Sequence, residues 1–317
     1  MKLLFILDPL ESLKIYKDSS VAIMREAVAR GYQLFVCRPH DLLMRKEKVF
    51  VQASPFAFAD TNDWYALGQT VESDMADFDV VLNRKDPPFD NEYLYLTHLL
   101  EQAVNQGARV INNPSAVRAW NEKLSVAKFP EFAPAFIVTS QEQEIRAFLA
   151  EFQNIVVKPL DGMGGSGVFR LTENDPNIGS IIETITQQET RTVMAQVYLP
   201  EIKAGDKRIL VIDGEPLPYA LARIPKAGEL RANLAAGGTG VAQPLSMRDW
   251  KIARNVGKVL KREGLFLVGL DVIGDYLTEI NVTSPTCMVE IAAQTLNTAQ
   301  PCIPAQVFVD KLQEIIK

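Results

Sequence analysis

Asp271, Glu279 and Asn281 are polar residues set among apolar ones in "VGLDVIGDYLTEINV". The run reads as a hairpin that turns near Gly274–Asp275. Glu279 and Asn281 are two apart and share a strand face. Val268, Leu270, Val272, Ile280 and Val282 make one apolar face only if even positions pair with even. Odd positions then pair with odd, and Asp271 comes to lie opposite or near Glu279. That register calls for an odd turn, three residues rather than two. Two carboxylates and an amide oxygen form a hard, oxygen-only set that suits Mg²⁺, which is commonly completed by substrate phosphates. The same residues in isolation also suit a solvent-exposed polar strand face.

A second stretch points to the same kind of ligand. "VVKPLDGMGGSGVFRL" places Lys158 ahead of Gly162, Gly164, Gly165 and Gly167. The lysine stands on the wrong side of the glycines for a Walker loop, and a strand-like run follows where a dinucleotide fold needs a helix. Glycines still let backbone N–H groups approach an anion closely. Lys123, in a predicted helix, and Lys158 are compact charges able to neutralise phosphate oxygens. Arg84 ends a predicted parallel strand, where ligands of α/β sheets sit. Arg208 and Arg223 lie on the two strands of one hairpin, and Arg231 in a long loop; guanidinium forks suit carboxylates and phosphates.

These residues need elements to position them. Strand 2–8, helix 19–32 (with Asp18 or Ser19 as its N-cap) and strand 33–38 make a βαβ unit, continued by strands 79–84 and 109–113 around helix 92–106. The segment 45–75 reads as a hairpin or irregular strands, then a short helix. After Pro114 the style changes. A helix over 115–129, strand 135–140, helix 141–152, the hairpin around the glycines, a helix near 176–188 and strand 192–199 make a small α+β unit. Two hairpins follow, 207–224 turning at Asp213–Gly214 and 265–282. The 20 residues between the hairpin strands, 225–244, are too long a loop to be idle inside a domain and read as a mobile lid.

Bulk properties set the limits. The chain has 317 residues, 47% of them apolar, and a formal charge of −6, which argues against a basic nucleic-acid surface. Three cysteines without metal spacing fit a reducing cytoplasm better than a disulfide scaffold. The N-terminus makes a poor signal peptide, and no 18-residue apolar run reads as a membrane span.

Taken together, "RKDPPFD", "NEKL", "VVKPLDGMGGSGVFR", "DKRILVIDGEP", "NLAAGGTG" and "VGLDVIGDYLTEINVTSPT" resemble the bacterial glutathione synthetase family of ATP-grasp ligases, over essentially the whole chain. The resemblance implies an α/β ATP-grasp fold: a parallel-sheet substrate domain over 1–121, a central α+β lid over 122–200, and a mixed-sheet catalytic domain over 201–317 with its mobile loop at 225–244. It implies ATP on Lys123, Lys158, Gly164, Gly165 and Asp206, with Gln196, Val197, Tyr198 and Leu199 around the adenine. Asp271, Glu279 and Asn281 would hold Mg²⁺, with Mn²⁺ as an alternative. Arg208, Arg223 and Arg231 would act on the reacting groups. Arg84, Asp18 and Ser19, with Ser284, Pro285 and Thr286, would receive the substrates γ-glutamylcysteine and glycine. The implied reaction passes through an acyl phosphate. The resemblance also implies a homotetramer, with no nucleic-acid or membrane partner. Another ATP-grasp carboxylate–amine ligase is the alternative. Val289 stands where such sequences usually carry a basic residue.

Overall fold

The first strand, Lys2–Ile6, is buried from Leu3 onward, as a parallel strand covered on both faces must be. It pairs in parallel with Gln33–Cys37 on one side and Val80–Asn83 on the other, and Val80–Asn83 pairs in parallel with Val110–Ile111. The computed structural model describes the chain except residues 61, 62, 227, 230, 231, 233, 235, 236 and 317. Helix Ser19–Ala29 is capped by Asp18, whose carboxylate accepts from Val21 N at 2.9 Å; helix Asn91–Asn105 is capped likewise by Asp90. Both stop before a glycine with positive φ, Gly31 and Gly107. The ambiguous segment 45–75 contributes an antiparallel flank. Lys48–Phe58 runs antiparallel to Gln33–Cys37 and carries Leu42–Arg45, Tyr65–Leu67 and Val71–Asp74 as partners. The sheet is therefore parallel at its centre and antiparallel at one edge, and the short helix is a single 3₁₀ turn, Met75–Asp77.

The predicted helix over 115–129 is two pieces, Pro114–Ala119 and the 3₁₀ turn Leu124–Lys128. Asn121 Oδ1 accepts from Lys123 N at 3.0 Å and Leu124 N at 2.9 Å, so its side chain starts a new turn instead of letting the first helix continue. Lys123 accordingly precedes the 3₁₀ turn and does not lie inside a helix. Next comes a four-stranded antiparallel sheet, ordered Phe169–Thr172, Asn154–Pro159, Val193–Val197, Phe136–Thr139. Helices Glu142–Phe152 and Ile178–Thr186 cover one face through Ile145, Phe148, Ile182 and Ile185, which meet Ile155, Val157, Val193 and Ala195. Strand alternation turns Val156, Lys158 and Gln196 to the other face.

The C-terminal sheet corrects the expectation of a mixed sheet. Its five strands, ordered Thr239–Pro244, Glu215–Ile224, Asp206–Ile212, Leu267–Ile273, Tyr276–Asn281, are antiparallel at every pairing. Tight turns build it: Asp213 and Gly214 both have positive φ (50° and 80°), as a two-residue primed turn demands. The last six residues of the predicted loop 225–244 are a strand, not loop.

The acidic hairpin has the expected pairing for a different reason. Asp271 is opposite Glu279 and Leu270 opposite Ile280, yet the turn holds only two residues, because Ile273 pairs with Tyr276. A bulge beyond Asp271 leaves Thr278 as the extra residue. Leu277, at an odd position, is consequently buried in the core.

Asn112 locks the first sheet to the last. Its Nδ2 donates to Leu267 O and Val282 O, each at 2.8 Å, and its Oδ1 accepts from Leu267 N at 2.9 Å. Helix Met247–Arg262, started by a Ser246–Asp249 capping box, packs Gly257 against the Asp213–Gly214 turn. A Cβ at Gly257 would lie 2.2 Å from Gly214 O. Glycine to alanine in an exposed helix gains about 1 kcal/mol. Gly257→Ala is expected to reverse that sign and cost about 1–3 kcal/mol through overpacking, read as a lower urea midpoint.

Candidate active site

The three sheets enclose a cleft of about 680 Å³. One wall is the uncovered face of the four-stranded sheet, with Val156, Lys158 and Gln196; the adjoining strand end adds Val197, Tyr198 and Leu199. The glycine loop overhangs it. Gly164, Gly165 and Gly167 have φ of 63°, 80° and 71°, conformations that side chains seldom adopt. Lys123 Nζ donates to Gly162 O at 2.7 Å and so ties this loop to the opposite wall.

That opposite wall is a ladder of charge across the C-terminal sheet. Register places Arg223 beside Asp206, Arg208 beside Asp271, and Asp271 beside Glu279. Arg208 grips Asp271 with two donors, Nε to Oδ1 at 2.6 Å and Nη2 to Oδ2 at 3.2 Å. Arg223 Nη2 is 2.9 Å from Asp271 Oδ2 and also pairs with Asp206. Glu279 Oε1 faces Lys158 Nζ at 3.4 Å and Lys123 Nζ at 3.8 Å. Lys158 Nζ also lies 3.5 Å from the carbonyl of Thr278, the bulge residue.

Burial dominates every ionisation here, and the partners decide its outcome. Burial would raise the Asp271 carboxyl, but Arg208 and Arg223 overcome it and hold the group well below the usual range. Lys123 and Lys158 do the same for Glu279. Asp206 has only Arg223 close by, with Asp271 and Glu279 adding repulsion, and burial pushes it to about 7. Its Oδ1 is buried without a partner. Burial also lowers the Lys158 ammonium.

Asp271, Glu279 and Asn281 all line the cleft on one sheet face. Asn281 Nδ2 donates to Gly269 O at 3.3 Å, which leaves Oδ1 as its free polar atom. Among the described residues no further acid, histidine or cysteine joins them into a cluster of three. The donors present are oxygens only, which fits a hard divalent cation finished by ligand oxygens.

The other expected residues divide into two groups. Asp18, Gly164, Gly165, Asp206, Arg208, Arg223, Ser284, Pro285 and Thr286 reach the cleft. Arg84 and Ser19 do not line it; they stand one layer behind. Arg84 donates from Nε to Ser20 Oγ at 3.0 Å and from Nη2 to Pro285 O at 2.9 Å, so the structure gives it the job of holding the 283–286 loop. Ser19 Oγ accepts from Met288 N at 3.2 Å at the far end of that loop. Arg231 lies outside the described residues, though its neighbours Ala232 and Leu234 line the cleft.

Sequence reasoning missed Glu122, Asp8, Asp86 and Glu290, which also line the cleft. Glu122 Oε1 accepts from Thr283 Oγ1 at 2.8 Å and from Val282 N at 3.1 Å, and burial raises its carboxyl. Its position beside Lys123 in "NEKL" was the available signal. Burial likewise raises Asp86.

Two family models match the chain: the prokaryotic glutathione synthetase N-terminal domain over residues 1–118, and the prokaryotic glutathione synthetase ATP-grasp domain over 122–296. The glutathione synthetase of Nitrosomonas europaea is 58% identical over 299 residues, covering 93% of both chains. That of Ralstonia nicotianae is 56% identical, covering 93% of this chain and 91% of its own. Among solved structures, the D-cycloserine synthetase DcsG superposes with a TM-score of 0.68 at 16% identity, over 99% of this chain and all of that one. D-Alanyl-alanine synthetase A of Vibrio cholerae gives 0.62 at 13% identity over 99% and 98%; both likenesses concern the fold. With two models spanning nearly its whole length and relatives above half identity, the chain belongs to the prokaryotic glutathione synthetase family of ATP-grasp ligases.

Proposed function

We infer that this chain joins γ-glutamylcysteine to glycine at the expense of ATP, giving glutathione, ADP and phosphate. The observation that carries the reading is identity above 50% to glutathione synthetases along 93% of the chain. The site chemistry agrees with it. A carboxylate is a poor acylating agent, so its oxygen first takes the γ-phosphoryl group and becomes an acyl phosphate. The amine of glycine then displaces phosphate.

The protein's contribution is positioning and charge neutralisation. Lys123 and Lys158 face the phosphates, under the loop at Gly164 and Gly165. Gln196, Val197, Tyr198 and Leu199 frame the base. Asp206 and Arg208 order the transferring phosphoryl group, and Arg223 and Arg231 the reacting carboxylate. Asp271, Glu279 and Asn281 would hold Mg²⁺, or Mn²⁺ in its place, which would supply charge neutralisation for the phosphates. Asp18 and the segment Ser284, Pro285, Thr286 receive the substrates, and Arg84 and Ser19 support that segment from behind.

The working division is 1–121 for substrate, 122–200 as the lid, and 201–317 for catalysis. Ala232 and Leu234 on the cleft wall support a covering role for the loop that begins at 225. The enzyme works as a homotetramer in the cytoplasm, with small molecules and no nucleic acid as partners. The chain has no helix long and apolar enough to cross a membrane among the described residues.

Phosphate release with ATP and Mg²⁺ is expected to require both γ-glutamylcysteine and glycine. Release indifferent to γ-glutamylcysteine would refute the reading. Glu279→Gln is expected to keep the fold and lose about 10²–10³ in kcat. Asp271→Asn is expected to lose turnover as well, and also about 3–5 kcal/mol of stability, because it strips two buried arginines of their shared counter-charge. Urea melts of the two variants separate these effects.

A further inference from the structure

Glu290 is a cleft acid to which the assignment above gives no role. It lies in the first turn of helix Met288–Thr295, and it, not its neighbour Val289, lines the cleft. Its Oε2 is fully buried without a hydrogen-bond partner. Nor does it cap its own helix: the cap position is Cys287, in a left-handed conformation at φ 87°, and the Met288 N–H is taken by Ser19. A buried carboxylate oxygen with nothing to accept from is costly, and a cationic ligand removes the cost.

The surroundings say which cation. The 283–286 loop that leads to Glu290 runs along Arg208: a Cβ at Gly269 would lie 2.8 Å from Arg208 Cδ and 3.0 Å from Pro285 Cβ. Burial raises the Cys287 thiol, with Arg208 and Arg223 opposing and Glu290 adding to it. Glu290 therefore follows directly on the loop that packs against Arg208, and it shares the cleft with Arg208 and Arg223. Two cations enter this reaction on substrates, the ammonium of the donor dipeptide and that of the acceptor amino acid. Asp18 and Asp86 line the cleft as well, and the former ammonium falls to them; Asp8 is already paired with Lys85 at 2.9 Å.

We propose that Glu290 binds the ammonium of the acceptor amino acid and takes the first proton from it. This rests on the ligase reading given above. The ammonium gives one proton to the Glu290 carboxylate, and the freed nitrogen lone pair bonds to the acyl carbon. The bond from that carbon to the phosphate oxygen breaks. Glu290 passes its proton to water, the second proton lost from nitrogen goes to water as well, and the departing phosphate takes one from water.

Hydroxylamine tests the assignment. It is an uncharged nucleophile at neutral pH, intercepts the acyl phosphate and needs no ammonium site. Glu290→Gln is expected to raise the KM for glycine about 10- to 100-fold, the worth of one charge-assisted hydrogen bond. The KM for γ-glutamylcysteine and the rate of ATP-dependent hydroxamate formation should stay near those of the unaltered enzyme. Glu290→Asp, which keeps the charge, is expected to recover part of the glycine affinity. Hydroxamate formation that falls in step with glycine ligation would overturn the proposal. So would a raised KM for γ-glutamylcysteine with that for glycine unchanged. Should Glu290→Gln not fold, an unchanged glycine KM in Glu290→Asp overturns it as well. No hydroxamate from the unaltered enzyme with γ-glutamylcysteine would refute the ligase reading itself, and the proposal with it.

Discussion

Asp271 sits between two arginines, and much of the site depends on that grip. Its carboxylate meets Arg208 through two hydrogen bonds and Arg223 through a third contact, all within the C-terminal sheet. Three buried ions in a row cost desolvation that only close, well-aligned partners offset. Sheet register supplies the alignment: Arg208 is directly across from Asp271, and Arg223 from Asp206, one strand further. A slip of one residue on any of these strands would turn the charges to the wrong face. The register is in turn fixed by the apolar face beneath, Ile209, Val211, Val268, Leu270 and Ile280, all fully buried.

The pairing of Asp271 with Glu279 was legible in the sequence because apolar periodicity constrains both faces of a strand at once. The bulge at Thr278 was not, because the same parity follows from an odd turn or from an extra residue within the strand. Leu277 is where the two differ: an apolar residue at an odd position belongs to the core only if the bulge is there. Lys123 was read as a phosphate lysine and given to a helix, and the structure corrects the helix, since periodicity overlooked the competing turn that Asn121 starts.

Arg84 shows a second limit. A strand-end arginine in an α/β sheet suggests ligand contact, and periodicity cannot tell a group that touches ligand from one that holds the loop that does. Its bonds to Ser20 and Pro285 join positions 64 and 201 residues away along the chain. Glu122 and Glu290 escaped for a related reason. A single carboxylate on a turn or in a first helical turn has an ordinary local explanation, and only the cleft around it makes it unusual. The family likeness was readable because it rests on ordered, long motifs; roles of single side chains needed the folded neighbourhood.

The Asn112 clamp joins two of the three sheets through backbone groups. It bonds the strand end of the first sheet to both strands of the acidic hairpin, while Arg84 and Ser19 fasten the 283–286 loop and the helix after it. The four-stranded sheet meets the C-terminal one through Met194, buried in the same apolar cluster as Val268 and Leu277, and through polar contacts such as Lys158 to Glu279. In the proposed reading, the spacing between the seats of the two substrates would be settled when the chain folds, because both lie on parts of the molecule that Asn112, Arg84 and Ser19 bond together.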